Sequence, residues 1–182
     1  MIKNPWKILS TKVVYETPWL KVIEDEVIKP NGGRGTYSYV ETRDQSVFIV
    51  PLTDKNEVYL ICQMRYPTGV ESWEIPGGNC DGDDIMIAAK KELQEETGLT
   101  AKKWTKIGWF HALNGVCPEV TNVLIAENLS QTGKKETKEE GIVKIKRVPF
   151  EKVLEMVEKN EITDGQTISS ILKAKLWLEK NS

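Results

Sequence analysis

Residues 73–99 constrain the fold more than any other part of this sequence. The segment opens with Trp-Glu-Ile-Pro-Gly-Gly, passes through an Asp- and Gly-rich stretch and ends in an acidic, helix-like pattern before Gly98. Asp83 or Asp84 can cap the start of a helix, and Gly98 suits the left-handed position just beyond its end. The segment therefore predicts a tight turn followed by a helix over residues 84–97.

Helical spacing in this segment places acidic side chains beside the apolar face. The apolar stripe consists of Ile85, Ala89 and Leu93. Glu92 and Glu96, one turn apart, fall on the same side as that stripe, and Glu95 lies next to them. There the carboxylates repel one another, crowd the negative end of the helix dipole and are partly removed from water. A divalent cation relieves all three costs, and Mg²⁺ is usually held by one or two carboxylates plus substrate phosphates. A solvated acidic helix end is the alternative, which the neighbouring Gly-Gly loop disfavours.

The segment resembles the Nudix box, Gly-x5-Glu-x7-Arg-Glu-U-x-Glu-Glu-x-Gly-U, where U is a bulky aliphatic residue. Gly77 begins the match, and the later fixed positions are Glu92, Leu93, Glu95, Glu96, Gly98 and Leu99. Asp83 replaces the family's first glutamate and Lys91 its arginine, so the charge signs are kept. Lysine lacks the planar set of N–H donors of arginine, so we expect Lys91 to hold the loop less tightly than the family's arginine does.

Nearly the whole chain resembles the ADP-ribose pyrophosphatase and nucleoside diphosphate sugar hydrolase branch of that superfamily. Gln63-x-Arg65 precedes the box, and the Asn-Gly-Val-Cys-Pro-Glu run ending at Glu119 resembles the branch's Pro-Gly-x-x-x-Glu loop. The proline that marks the ADP-ribose enzymes is Asn114 here. GDP-mannose and ADP-glucose therefore stand beside ADP-ribose as expected substrates.

The resemblance also implies a set of site residues. Metal ligands would be Glu92, Glu96 and the backbone carbonyl of Gly77, with Glu95 completing the cluster, and the metal would be Mg²⁺ with Mn²⁺ as a substitute. Arg65 would hold a phosphate, Glu119 would lie at the rim, and Trp73 is a further substrate-binding candidate. The catalytic base would come from Glu140 or Glu139 in the loop before a late strand, or from Glu92.

The implied reaction is hydrolysis of a nucleoside diphosphate sugar to a nucleoside monophosphate and a sugar phosphate. Alternatives within the superfamily are a dinucleoside polyphosphate hydrolase, a nucleoside triphosphate hydrolase and a non-catalytic nucleotide-sugar sensor. The glutamates at positions 92, 95 and 96 disfavour the sensor, because a module without chemistry has no need of them.

The strand pattern predicts two regions. Residues 1–43 contain strand-like segments at 7–15, 19–28 and 35–41, which would form a small antiparallel sheet with a turn at residues 30–33. Such a sheet is too small to be stable alone, so it should pack on the following domain or on a second subunit, and we expect a homodimer. Residues 44–182 alternate strands and helices, which predicts an α/β sandwich with a mixed sheet, the fold that the resemblance also implies. In its last helix, Ile168, Ile171, Leu172 and Leu176 have core spacing.

Composition limits the possible partners and compartments. The net charge of −2 offers no general basic surface for nucleic acid. No apolar run approaches the roughly 20 residues of a membrane span, and no signal peptide is visible. The three cysteines (Cys62, Cys80 and Cys117) are well separated, so we expect reduced thiols in a cytoplasmic protein. His111 is the only histidine, so the sequence supports neither a Ser-His-Asp triad nor a histidine-based metal site, and we expect His111 to be structural.

Overall fold

A computed structural model of the chain describes residues 3–132 and 141–181. In chain order the elements are β1 (Lys7–Glu16), β2 (Leu20–Ile28), β3 (Arg34–Thr42), β4 (Ser46–Pro51), β5 (Glu57–Arg65), β6 (Val70–Glu74), β7 (Gly77–Asn79), α1 (Ile85–Thr97), β8 (Leu99–Phe110), β9 (Thr121–Gln131), β10 (Ile142–Pro149), α2 (Phe150–Glu158) and α3 (Gly165–Asn181). Within the described ranges, no helix has both the length and the apolar composition needed to cross a membrane.

The first three strands form the predicted antiparallel sheet, in the order β1-β2-β3. The turn at residues 30–33 is closed by a bond of 2.8 Å from the Lys29 amide to the Gly33 carbonyl. This N-terminal sheet contacts the rest of the chain through β3. The Val40 amide donates to the Val116 carbonyl at 2.8 Å, and the Tyr37 hydroxyl donates to the Gly115 carbonyl at 2.8 Å. By contrast, every residue of β1 is exposed.

The central layer is built around β4. One sheet has the order β7-β4-β9-β8 and a second has the order β10-β5-β6. β4 runs parallel to β9 and antiparallel to β7, so the predicted mixed sheet is confirmed. Alternate residues of β4 face opposite sides. Phe48 and Val50 join a cluster with α2 and α3, whereas Val47 and Ile49 join a cluster with α1. This two-sided burial explains why β4 is apolar along its length, and it confirms helices on both faces.

Helix α1 has the ends that its sequence predicts. The Asp84 side chain caps its start by accepting from the Met86 amide at 2.8 Å. Gly98 has a φ of 72° and donates its N–H to the Gln94 carbonyl, which ends the helix. Ala89 and Leu93 are fully buried against β4.

Several elements differ from the prediction. β7 lies where the sequence predicted a tight turn, β6 precedes it, and β8 and β9 form a long antiparallel hairpin. A register shift near Gly108, which has a φ of 142°, lets this hairpin continue past a local irregularity. In α3, Ile171 is fully buried as predicted, but Leu172 is 44% and Leu176 58% exposed. The core assignment of these two leucines was wrong, because α3 buries a narrower stripe than its apolar spacing suggests.

Candidate active site

Two of the predicted glutamates meet the backbone of Gly77 and Gly78, which we call the diglycine segment. The Gly77 N–H donates to Oε2 of Glu96 at 2.8 Å, and Glu96 is only 3% exposed. A Cβ atom added at Gly78 would lie 2.6 Å from Oε1 of Glu92, so that carboxylate rests directly against the glycine backbone. Because Glu92 and Glu96 are one helical turn apart, a single segment can contact both.

The diglycine segment is itself fixed by β4. Gly77 pairs with Phe48 and Gly78 with Val47, which ties the segment to a fully buried strand. A Cβ at Gly77 would lie 2.5 Å from the Val47 carbonyl oxygen, so glycine is required for this approach. The next residue along the strand, Ile49, donates its amide to the Pro76 carbonyl at 2.8 Å. The acidic end of α1 therefore faces a backbone segment that is paired with β4 rather than an unpaired loop.

Glu95 lies towards the outer side of the same helix. Together with Lys90, Lys91 and Gln94 it lines a shallow surface depression, and its side chain is half-buried. Glu95 thus borders the lysines of α1, whereas Glu92 and Glu96 contact the diglycine segment.

The donor chemistry of this arrangement suits a hard divalent ion. Among residues 3–132 and 141–181, no group of three or more His, Cys, Asp or Glu side chains is placed to hold a metal ion by itself. Mg²⁺ seldom uses such a cage, because it is usually bound by one or two carboxylates, waters and substrate phosphates. The carboxylates of Glu92 and Glu96 meet that requirement.

The loop between β7 and α1 is braced by a residue that the sequence analysis missed. Asp44 accepts from the Gly82 amide at 2.8 Å and from the Gln45 amide at 2.7 Å, and the Cys80 amide donates to the Gln45 carbonyl at 2.9 Å. Arg43 adds an exposed ion pair with Asp81 at 3.6 Å. Asp44 lies outside the box, so the box pattern gives no signal for it.

Cys80 is a neutral thiol within this loop. Burial raises the pKa of Cys80 to about 11, and the charges of Asp44, Asp84 and Glu92 act in the same direction. Only 1% of the residue is exposed. A buried thiol with this pKa is neither a thiolate ligand nor a nucleophile at neutral pH.

Arg65 forms a bidentate pair with Glu74. Its Nε donates to Oε1 of Glu74 at 2.9 Å and its Nη2 to Oε2 at 2.5 Å. The Arg65 side chain is 45% exposed, whereas that of Glu74 is 2% exposed. Hydrogen bonding to Glu74 raises the pKa of Arg65, and the charges of Asp164 and Glu96 act on the same guanidinium. The predicted phosphate-binding arginine is therefore electrostatically coupled to the acidic end of α1.

The other predicted substrate-binding residues have mainly structural contacts. Trp73 is half-buried against the core cluster with α2 and α3, and Nζ of Lys146 lies 5.8 Å from its ring centroid. Glu119 is half-buried, and its carbonyl oxygen is 3.0 Å from Nδ1 of His111. His111 also stacks edge-on against Trp109. Glu139 and Glu140 lie outside the described residues.

A cleft of about 550 Å³ separates the N-terminal sheet from the loop that leads to Glu119. Its walls include Trp6, Tyr37 and Asp25 from the sheet side and Cys117 from the loop. Trp6 and Tyr37 meet edge to face with ring centroids 5.5 Å apart. The cleft is thus lined by the sheet and this loop rather than by α1.

Comparison with known proteins identifies two matching families and several relatives. The NUDIX domain model matches residues 42–169, and the model of the nucleoside diphosphate sugar hydrolase N-terminal domain matches residues 6–40. An ADP-ribose pyrophosphatase of Bacillus subtilis is 31% identical, with 91% of this chain and 90% of that protein covered. A GDP-mannose pyrophosphatase of Salmonella paratyphi B is 31% identical, with 63% of this chain and 64% of that protein covered. A solved structure described as an ADP compounds hydrolase has a TM-score of 0.86 and 21% identity, covering 100% of this chain and 98% of that one, which shows that the fold is shared.

Proposed function

This chain belongs to the Nudix family and is a pyrophosphatase, and we propose that it hydrolyses the diphosphate bond of nucleoside diphosphate sugars. ADP-ribose, GDP-mannose and ADP-glucose are the proposed substrates, and the products are a nucleoside monophosphate and a sugar phosphate. The placement of Glu92 and Glu96 against the diglycine segment carries this proposal. The match of residues 6–40 to a nucleoside diphosphate sugar hydrolase domain supports the substrate class.

The proposed metal is Mg²⁺, with Mn²⁺ as a substitute. Glu92, Glu96 and the carbonyl of Gly77 would hold it, with Glu95 contributing from the adjacent position on α1. When bound, such an ion neutralises the diphosphate charge and orients the phosphorus for in-line attack. Mg²⁺ is usually held by one or two carboxylates, so such a site would keep coordination positions for water and substrate phosphate.

The chain's own groups would supply orientation and proton transfer. Arg65, through the part of its guanidinium that faces solvent, would hold a phosphate, and Glu119 and Trp73 would border the substrate. A glutamate would accept the proton of the attacking water, and Glu140, Glu139 and Glu92 are the candidates. The water oxygen bonds to one phosphorus while the bond to the bridging oxygen breaks, and the second phosphate leaves. Most of the rate enhancement in such phosphoryl transfer comes from positioning and charge stabilisation.

A substrate panel tests the proposal. Diphosphate sugars, dinucleoside polyphosphates and nucleoside triphosphates are incubated with the protein and MgCl₂ in ¹⁸O-labelled water, and the products are separated by chromatography. We expect fastest turnover of a diphosphate sugar, with one labelled phosphate that locates the attack. Turnover of triphosphates or dinucleoside polyphosphates alone would support the alternative hydrolases, and binding without turnover would support a sensor.

We also propose a homodimer formed through the N-terminal sheet, taken as residues 1–43 beside a catalytic domain of residues 44–182. The exposed large apolar side chains of β1 are Ile8, Leu9, Val13, Val14 and Tyr15. An exposed strand with this composition is a candidate for burial against a second copy.

The unpaired state of Cys62, Cys80 and Cys117 supports a cytoplasmic location, which we propose for this protein.

A further inference from the structure

Glu74 is a buried carboxylate to which the reaction described above gives no role. It ends β6, and 1% of the residue is exposed. Its Oε1 accepts from Nε of Arg65, and its Oε2 accepts from Nη2 of Arg65 and from Nε2 of Gln63 at 3.2 Å. A buried carboxylate is tolerated only when it is paired and hydrogen-bonded in this way. All three donors come from β5.

The pairing of β5 and β6 shows that Arg65 does not meet Glu74 across the ladder. Arg65 lies opposite Val70, and Glu74 lies opposite Ile61. The arginine side chain must therefore run back along the hairpin to reach the carboxylate. A long side chain held in one extended direction loses much rotamer freedom, so a fixed partner is needed to keep it there.

The contacted atoms determine which part of the guanidinium stays accessible. Glu74 engages the edge formed by Nε and Nη2. Arginine carries five N–H donors, so up to three are left for another acceptor. The Arg65 side chain is 45% exposed, so part of the guanidinium outside this edge remains accessible from solvent.

We propose that Glu74 is a positioning residue, which holds the guanidinium of Arg65 so that its remaining N–H groups meet the diphosphate of the substrate. The inference rests on the proposed function, because it takes that diphosphate as the ligand of Arg65. Glu74 itself contacts no substrate. Its effect on binding is transmitted through Arg65, which is ordered before the substrate arrives and therefore loses less entropy on binding.

A double-mutant cycle on Glu74 and Arg65 tests this role. Glu74→Gln keeps the side-chain volume but turns one acceptor into an NH₂ group that faces the donors of Arg65 and Gln63. We expect kcat/KM for the best diphosphate sugar to fall about 10- to 100-fold, mainly through a rise in KM. In the Arg65→Ala background the same substitution should cost less than about twofold, because the partner through which Glu74 acts is gone.

The matched control is Glu71→Gln, the same change on the same strand. Glu71 pairs with Lys144 at 3.2 Å, and both side chains are more than half exposed. We expect this variant to keep wild-type kcat and KM. If Glu74→Gln does not fold, Glu74→Asp takes its place in the cycle, since its shorter carboxylate keeps the charge but cannot span both guanidinium donors.

A binding measurement separates this proposal from the proposed function. The affinity for α,β-methylene-ADP is measured by calorimetry in EDTA for the same four proteins of the cycle. If Glu74→Gln lowers the affinity equally in the wild-type and Arg65→Ala backgrounds, the positioning role is overturned, whatever the turnover. If Glu74→Gln lowers the affinity only when Arg65 is present, in a protein that hydrolyses no diphosphate sugar, the proposed function is overturned and the positioning role is supported. Absence of both turnover and binding in the wild type would overturn both.

Discussion

Substituting alanine at the two adjacent glycines of the diglycine segment should damage the protein in two different ways. At Gly78 the new methyl group would lie 2.6 Å from Oε1, 2.8 Å from Cδ and 2.9 Å from Oε2 of Glu92. At Gly77 it would lie 2.5 Å from the Val47 carbonyl oxygen and 3.0 Å from Cγ of Phe48. The first collision is with the end of a flexible side chain, and the second is with buried backbone and core.

The geometry sets the expected magnitudes. To reach an ordinary contact of 3.4 Å, the Glu92 oxygen must move by about 0.8 Å. A displacement of about 1 Å in a positioned group can cost on the order of 100-fold in rate, which corresponds to about 2.7 kcal/mol of activation free energy. At Gly77, where backbone must move, overpacking should cost roughly 1–3 kcal/mol of folding stability and lower Tm by roughly 2–12 °C.

The assay compares kcat/KM for a diphosphate sugar at saturating MgCl₂ with the thermal unfolding midpoint of each variant. Gly78→Ala should lose activity and keep the wild-type Tm within about 2 °C, whereas Gly77→Ala should lose stability. Gly165→Ala is the matched control, because a Cβ at Gly165 has no heavy atom within 4 Å among the described residues. We expect it to change neither quantity.

Full activity in Gly78→Ala would show that the position of Glu92 against the diglycine segment is irrelevant to turnover. If Gly78→Ala instead lowers Tm as much as Gly77→Ala does, the Glu92 carboxylate cannot move away from the added methyl group. Either result would refute the reasoning from the two collisions.

Three further predictions address the metal site, the buried thiol and the dimer. Glu96→Gln should abolish most turnover and leave Tm nearly unchanged, because the amide oxygen can still accept from the Gly77 N–H, and near-normal activity at saturating MgCl₂ would contradict its role as a metal ligand. The pKa of Cys80 is raised from 9.0 to about 11, so between these values the thiol ionises in the unfolded chain but not in the folded protein. The protonated Cys80 therefore stabilises the folded protein below pH 9, and this stabilisation is lost as the pH rises towards 11. Between pH 9 and pH 11, the free energy of unfolding measured in urea should fall by roughly 2–3 kcal/mol more for wild type than for Cys80→Ala. An equal pH dependence of the two proteins would contradict the pKa shift. The double variant Ile8→Lys/Val14→Lys should sediment as a monomer at micromolar concentration whereas wild type and Val143→Lys sediment as dimers, and a monomeric wild type would exclude the proposed dimer.

The parts of the fold that the sequence predicted are those set by local signals. Asp84 and Gly98 define the ends of α1 because capping and left-handed backbone depend on single residues. The apolar run of β4 predicted a buried strand because both of its faces are covered. β7 was missed because glycines normally indicate a turn, whereas Gly77 forms a strand here through close approach to Val47.

The same division applies to the site. The meeting of Glu92 and Glu96 at one segment follows from their helical spacing, so it could be predicted. The pairing of Arg65 with Glu74 could not, because it depends on the register of β5 and β6 and on an arginine that runs back along the hairpin. The brace at Asp44 likewise depends on a contact with Gly82 that no local pattern indicates.

The parallel pairing of β4 with β9 has a consequence for how the protein is made. Ser46 lies opposite Thr121, so the strand that anchors the diglycine segment gains its second neighbour only after a long stretch of chain has been synthesised. On the ribosome the residues of α1 emerge before those of β9, so its glutamates face an incomplete sheet until β9 has been made. The sheet that holds the diglycine segment is therefore complete only after β9 has been synthesised.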